Sequence, residues 1–132
     1  MSASDLNTIN TFKAAGATTV TATSEITGTS ADLVTVIGAV THGTDVTFTI
    51  TEGAATIAEL IAINNATAGT VVLSANTIAT AYNDTAANLA AAFDGITTST
   101  STLTITGTAA AIDELKTINN ATSGAVVLSA DT

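Results

Sequence analysis

Thr56-Ile-Ala-Glu-Leu-Ile-Ala-Ile-Asn-Asn-Ala-Thr-Ala-Gly-Thr-Val-Val-Leu-Ser-Ala75 returns 55 residues later as Ala111-Ile-Asp-Glu-Leu-Lys-Thr-Ile-Asn-Asn-Ala-Thr-Ser-Gly-Ala-Val-Val-Leu-Ser-Ala130. A near-copy at that distance marks a repeat, and a repeat governs the architecture before any single element does. Glycines subdivide the interval: Gly16, Gly43, Gly69, Gly95 and Gly124 recur at gaps of 27, 26, 26 and 29 residues. The copy therefore lies two beats away. The chain reads as a single repeat domain, 1–132, with units at approximately 1–29, 30–53, 54–80, 81–108 and 109–132.

Within each unit a helix is expected first. Apolar residues recur at helical spacing in Leu6, Ile9, Phe12; Leu33, Val36, Val40; Ile57, Leu60, Ile63; Ala86, Leu89, Phe93; and Ile112, Leu115, Ile118. This puts one apolar stripe on one face of two to three turns. Ser4 or Asp5, Ser30 or Asp32, and Asp84 stand where an N-cap is wanted. The periodic glycine is expected to end each helix in the left-handed C′ conformation. A strand is expected next. Thr19–Thr23, Val46–Ile50 and Thr102–Thr106 alternate threonine with apolar residues, and Thr70–Ser74 and Ala125–Ser129 are more apolar. Period two buries one face. Ser24–Thr27 and Asn76–Thr80 are candidates for a short second strand.

A helix–strand pair of about 27 residues cannot bury its own apolar face, whereas stacked pairs can. Successive strands then pair in parallel, with helices in right-handed crossovers. The expected fold is α/β: a repeat, solenoid-like parallel β-sheet backed by short helices, about five helix–strand units in all. A compact α/β domain whose units share only duplication history is the alternative.

Composition narrows the function. Thr and Ala supply more than two-fifths of the 132 residues, aromatics are limited to Phe12, Phe48, Tyr82 and Phe93, and Pro and Cys are absent. Such a core suits thin, closely spaced layers. The net charge is −9, with Lys13 and Lys116 the only lysine or arginine side chains. Nucleic-acid binding needs a basic surface and is disfavoured, as is docking to anionic membrane. Without cysteine there are no disulfides, thiolate metal sites or cysteine nucleophiles. No run approaches the ~20 apolar residues of a membrane-spanning helix. The sequence from Met1 to Asp5 lacks the features of a signal peptide.

Chemistry-bearing residues are sparse. His42 precedes Gly43 at an expected helix C-terminus, where partial positive charge is favourable. Asp113 and Glu114 lie beside Lys116 on an expected helix surface. Asn76, Asn83 and Asp84 carry hard oxygen ligands of the kind calcium takes, although capping and turn formation account for them more simply. No catalytic residue, cofactor or metal site is assigned, and no enzyme activity is expected.

Asn83-Asp84-Thr85-Ala86-Ala87-Asn88-Leu89-Ala90-Ala91-Ala92-Phe93, with Thr104-Ile-Thr-Gly-Thr-Ala109, resembles the Ala/Thr-rich "DTAANLAA" repeats of very large bacterial secreted and surface proteins of the RTX-adhesin and S-layer type. The resemblance implies an extracellular, non-enzymatic, scaffold-like role. The G-G-x-G-x-D calcium nonapeptide of RTX modules is absent, so calcium binding is not carried over.

Neither the first nor the last unit reads as a polar cap. An uncapped stack exposes apolar, unpaired edges, and contacts that do not close make filaments or lattices. Head-to-tail self-assembly is therefore expected, with Leu6, Ile9, Phe12 and Val20 stacking on Leu115, Ile118, Val126 and Leu128. A cut from a longer repeat array is the alternative reading. A rival function is a monomeric adhesin or ice-binding segment that uses the threonine-rich strand face. That face is interrupted at Val72, Ser74, Val127 and Ser129.

Overall fold

A computed structural model of the protein describes residues 1–12, 18–19 and 24–129. Its helices open on a shared signal. Counted from the capping residue, Ser2-x-x-Asp5, Thr29-x-x-Asp32, Thr56-x-x-Glu59 and Thr85-x-x-Asn88 place a hydroxyl at the cap and a polar side chain three residues on. The hydroxyls of Ser2, Thr29, Thr56 and Thr85 accept from the backbone N–H of Asp5, Asp32, Glu59 and Asn88. Each satisfies a donor that the first helical turn leaves free. The caps are thus not Ser4, Asp5, Ser30, Asp32 or Asp84, as local spacing suggested. They lie one to three residues earlier, or one later in the case of Asp84.

These signals start α1 (Ala3–Phe12), α2 (Ser30–Ala39), α3 (Ile57–Asn65) and α5 (Ala86–Phe93). The fifth, α6 (Ile112–Ala121), follows Ala111, which has no capping hydroxyl. There the Glu114 carboxylate still accepts from the Ala111 N–H at 2.9 Å, which is half of a capping box. The five helices pack side by side in chain order, α1 on α2, α2 on α3, α3 on α5 and α5 on α6. Their apolar stripes carry Leu6, Leu33, Leu60 and Leu89 into the core, each at most 2% exposed. Burying each such side chain stabilises the fold by about 1.5–3 kcal/mol.

The strands also pair in chain order and in parallel. β2 (Glu25–Gly28), β4 (Thr47–Ile50) and β5 (Val71–Val72) form one three-stranded sheet. β6 (Tyr82–Thr85), β7 (Leu103–Thr106) and β8 (Val126–Leu128) form another. A short pair, β1 (Thr18–Thr19) with β3 (Val40–Thr41), lies apart from both. Register aligns Ile26, Phe48 and Val71 in one inward row and Tyr82, Leu103 and Val126 in another. The alternate positions hold threonine, half-buried at Thr47, Thr49, Thr104 and Thr106. The protein is therefore α/β, with parallel sheets backed by helices.

The expected single sheet is divided. Asn76–Thr80, a candidate second strand, instead lies largely in a short helix, α4 (Ala75–Ala79), capped by Ser74. It fills the seam between the two sheets. At one end the Thr77 hydroxyl, itself fully buried, accepts from the Ala55 N–H and donates to the Gly53 carbonyl. At the other, Ser101 Oγ donates to the Ile78 carbonyl at 2.8 Å. Tyr82 Oη crosses the same seam to the Ala55 carbonyl at 2.8 Å. Of the predicted strand at 19–23, only Thr19 lies within the described residues.

The glycine beat has a different cause from the one expected. Among the described residues positive φ occurs at Gly53, Gly95 and Gly107, so of the periodic set only Gly95 is left-handed. Gly69 and Gly124 are needed for close approach. A Cβ on Gly69 would stand 2.6 Å from the Asp45 carbonyl oxygen, and one on Gly124 would overlap the carbonyl oxygens of Ser101 and Thr100. Two residues earlier a threonine ties the same turn down. Thr67 Oγ1 accepts from the Gly69 N–H and donates to the Thr44 carbonyl. Thr122 Oγ1 accepts from the Gly124 N–H and donates to the Ser101 carbonyl. Gly16 lies outside the described residues.

Candidate functional site

The polar groups singled out by sequence are absorbed by the fold. α2 stops at Ala39, so His42 is not at a helix C-terminus. Its Nδ1 lies 3.0 Å from the Gly43 carbonyl, and its ring meets Phe48 edge-to-face at 5.3 Å. Asp84 Oδ1 accepts from the Thr85 N–H and from Asn88 Nδ2, which orders the entry to α5. Lys116 pairs with Asp113 at 3.2 Å on the exposed face of α6, an arrangement worth little in water. Among the described residues no group of three or more His, Cys, Asp or Glu side chains is placed to hold a metal ion.

Two titratable groups depart from their ordinary behaviour, and both serve the fold. Partial burial pushes the Glu59 carboxyl upward. Hydrogen bonds from the Thr56 N–H, the Thr56 hydroxyl and the Ser30 hydroxyl outweigh that and hold it below the usual carboxylate value. Burial raises the Tyr82 phenol, which keeps it the donor to Ala55 across the seam.

The two ends of the helical layer are the surfaces left open. Position seven after the cap shows this best. Val36, Ile63, Ala92 and Ile118 are fully buried there, whereas Ile9 on α1 is 55% exposed. Phe12 beside it is 85% exposed. At the far end Ile112, Val127 and Leu128 are exposed. The residues expected to form an assembly face thus divide. Leu6 and Ile118 are buried within the chain itself and have no surface to offer a partner. Leu115 and Val126 are partly buried against the core. Ile9, Phe12 and Leu128 are open. Val20 lies outside the described residues. Ile112, with its cap-plus-one position, was not recognised from sequence as an end residue.

The threonine face is short. Its rows run Thr27–Thr49–Val72 and Asn83–Thr104–Val127, with Glu25 beside Thr47. Glu25 accepts from the Thr49 hydroxyl at 2.6 Å. Among the described residues no row holds more than two threonines in succession.

No helix among the described residues is long and apolar enough to cross a membrane. No protein-family model, curated protein or solved structure matches the chain.

Proposed function

We propose that this protein is a non-enzymatic structural subunit, an open solenoid of five helix–strand units that assembles head to tail into an extracellular bacterial filament, surface lattice or adhesin stalk. The observation that carries the reading is the chain-order stacking of helices and parallel strands. A stack built by repeated translation presents opposite, matching faces at its two ends. Here those faces hold the exposed apolar residues Ile9 and Phe12 at one end and Ile112 and Leu128 at the other. A heterologous contact of that type does not close and propagates. The extracellular setting rests on the acidic, Thr-rich composition and on the resemblance of Asn83–Phe93 to surface-protein repeats. Ice or ligand binding by a monomer is less well supported, because its threonine rows are broken by valine, asparagine and glutamate.

Negative-stain electron microscopy across a concentration series, with and without calcium, tests this. Regular filaments or sheets that grow with concentration are expected in both conditions. Discrete particles at every concentration would overturn the proposal.

A further inference from the structure

The helical layer uses one set of positions to reach forward and another to receive, and the terminal helices carry exposed members of both. Three side chains define the code, counting from each cap. Position one reaches forward in Ser30, whose hydroxyl donates to Glu59 at position three of the next helix, 3.1 Å away. Position five reaches forward in Asn7, whose Nδ2 donates to the Asp32 carbonyl at position three of α2. Position eight reaches forward in Asn64, whose Nδ2 donates to the carbonyls of Ala91 and Asp94, positions six and nine of α5, at 3.0 and 3.1 Å. An amide donor at that place satisfies carbonyls that a helix C-terminus leaves free. At position one Ala3, Ser30 and Ala86 are at most 7% exposed and Ile57 is half-buried, while Ile112 on α6 is 72% exposed.

On α6 the forward set is Ile112, Lys116 and Asn119. Asn119 stands in the same Ile-Asn-Asn-Ala-Thr context as Asn64, is exposed and makes no side-chain hydrogen bond among the described residues. On α1 the receiving set is Asp5 at position three, the Thr11 carbonyl at position nine and Phe12 at position ten; the Thr8 carbonyl at position six already accepts from the Thr11 hydroxyl. Lys116 is one of only two lysines in a chain of net charge −9. It occupies the forward position whose target on α1 is next to a carboxylate.

We infer that a second copy of this chain docks its α1 on α6 in the register α5 adopts on α3, with Asn119 donating to the Thr11 carbonyl, Lys116 paired with Asp5, and Ile112 and Phe12 covered. This rests on the head-to-tail reading above and specifies its contact. Charge complementarity points to a second copy as the occupant, since Lys116, held by Asp113 within its own chain, gains a second carboxylate in the Asp5 of the docked α1.

Sedimentation velocity on the full chain, with Asp5→Lys, Lys116→Asp, the double swap and Asn119→Asp, tests the register. Circular dichroism establishes that each variant is folded, and all three positions are exposed. Each single charge reversal is expected to weaken self-association by about tenfold, as desolvated interfacial pairs do, and the double swap to restore it. Asn119→Asp sets a negative charge against a helix C-terminus and is expected to weaken association independently of the swap. Assembly that persists unchanged in the single reversals and in Asn119→Asp overturns the register and leaves head-to-tail stacking standing. A wild-type chain that stays monomeric at high concentration while folded overturns both.

Discussion

At the scale of single residues, the two kinds of glycine separate cleanly. Gly69 and Gly124 sit where their turns press on the earlier backbone at Asp45–Val46 and at Thr100–Ser101, and the obstructing carbonyl oxygens cannot swing aside. Gly69→Ala is expected to destabilise by about 1–3 kcal/mol, the usual cost of forcing extra volume into a packed site. Gly38 lies within α2 with nothing within 4 Å of a built Cβ. Gly38→Ala is expected to stabilise by about 0.5–1 kcal/mol through helix propensity and a less flexible unfolded chain. Urea unfolding midpoints of the two variants should therefore move in opposite directions. Equal shifts would mean the glycine beat reflects composition rather than close approach. The beat was legible in sequence; its cause was not, because the obstructing carbonyls lie more than 20 residues away.

At the scale of the element, the missing hydroxyl before α6 is the clearest irregularity. Thr56 and Glu59 form a full capping box at α3, while at α6 only the Glu114 half is present. Ala111→Thr is expected to raise stability by about 0.5–2 kcal/mol, read as a higher thermal midpoint. The α3 box also predicts a pH dependence. The folded Glu59 carboxyl is held below its ordinary value, so its contribution is present above the unfolded pKa and is lost as pH falls through the folded one. Glu59→Gln should shrink the loss of thermal midpoint between neutral and acid pH relative to wild type. An unchanged loss would show that the box is not coupled to folding. The S/T-x-x-D/E/N spacing of these caps was readable in the chain. Nearby Asp and Ser residues compete with them in each helix taken alone, and only the alignment of the starts of α1, α2, α3 and α5 singles out the hydroxyl.

Across the whole molecule, the seam at α4 joins two parallel sheets under one continuous helical layer. Thr77 is fully buried there and is bonded to Gly53, Ser74 and Ala55. Thr77→Val keeps the shape but strands the buried Ala55 N–H, a cost of about 1–3 kcal/mol. Because the loss falls between the sheets, hydrogen exchange should rise in the β6–β8 half and the β2–β5 half to different extents. Proteins open in sub-global units, so a weakened contact between the two sheets uncouples the sides it joins. A uniform rise in exchange would mean that the helical layer alone keeps the molecule cooperative.

The sequence alone determined the helices around Leu6, Leu33, Leu60, Leu89 and Leu115, the strands around Phe48, Leu103 and Val126, and the parallel order. Those follow from apolar spacing and from connections that are short and local. Tertiary structure decided the rest. Asn76–Thr80 and Tyr82–Thr85 are both brief, mixed segments, and neither has a period long enough to choose its own state. The first became α4 because Thr77 is held by Gly53 and Ala55 and its last carbonyls by Ser101. The second became β6 because Leu103 to Thr106 offered a parallel partner. Burial of Ile118 and exposure of Ile9, each seven residues after the residue that precedes its helix, were likewise set by which side of each helix has a neighbouring helix, a property of the packing and not of the local sequence.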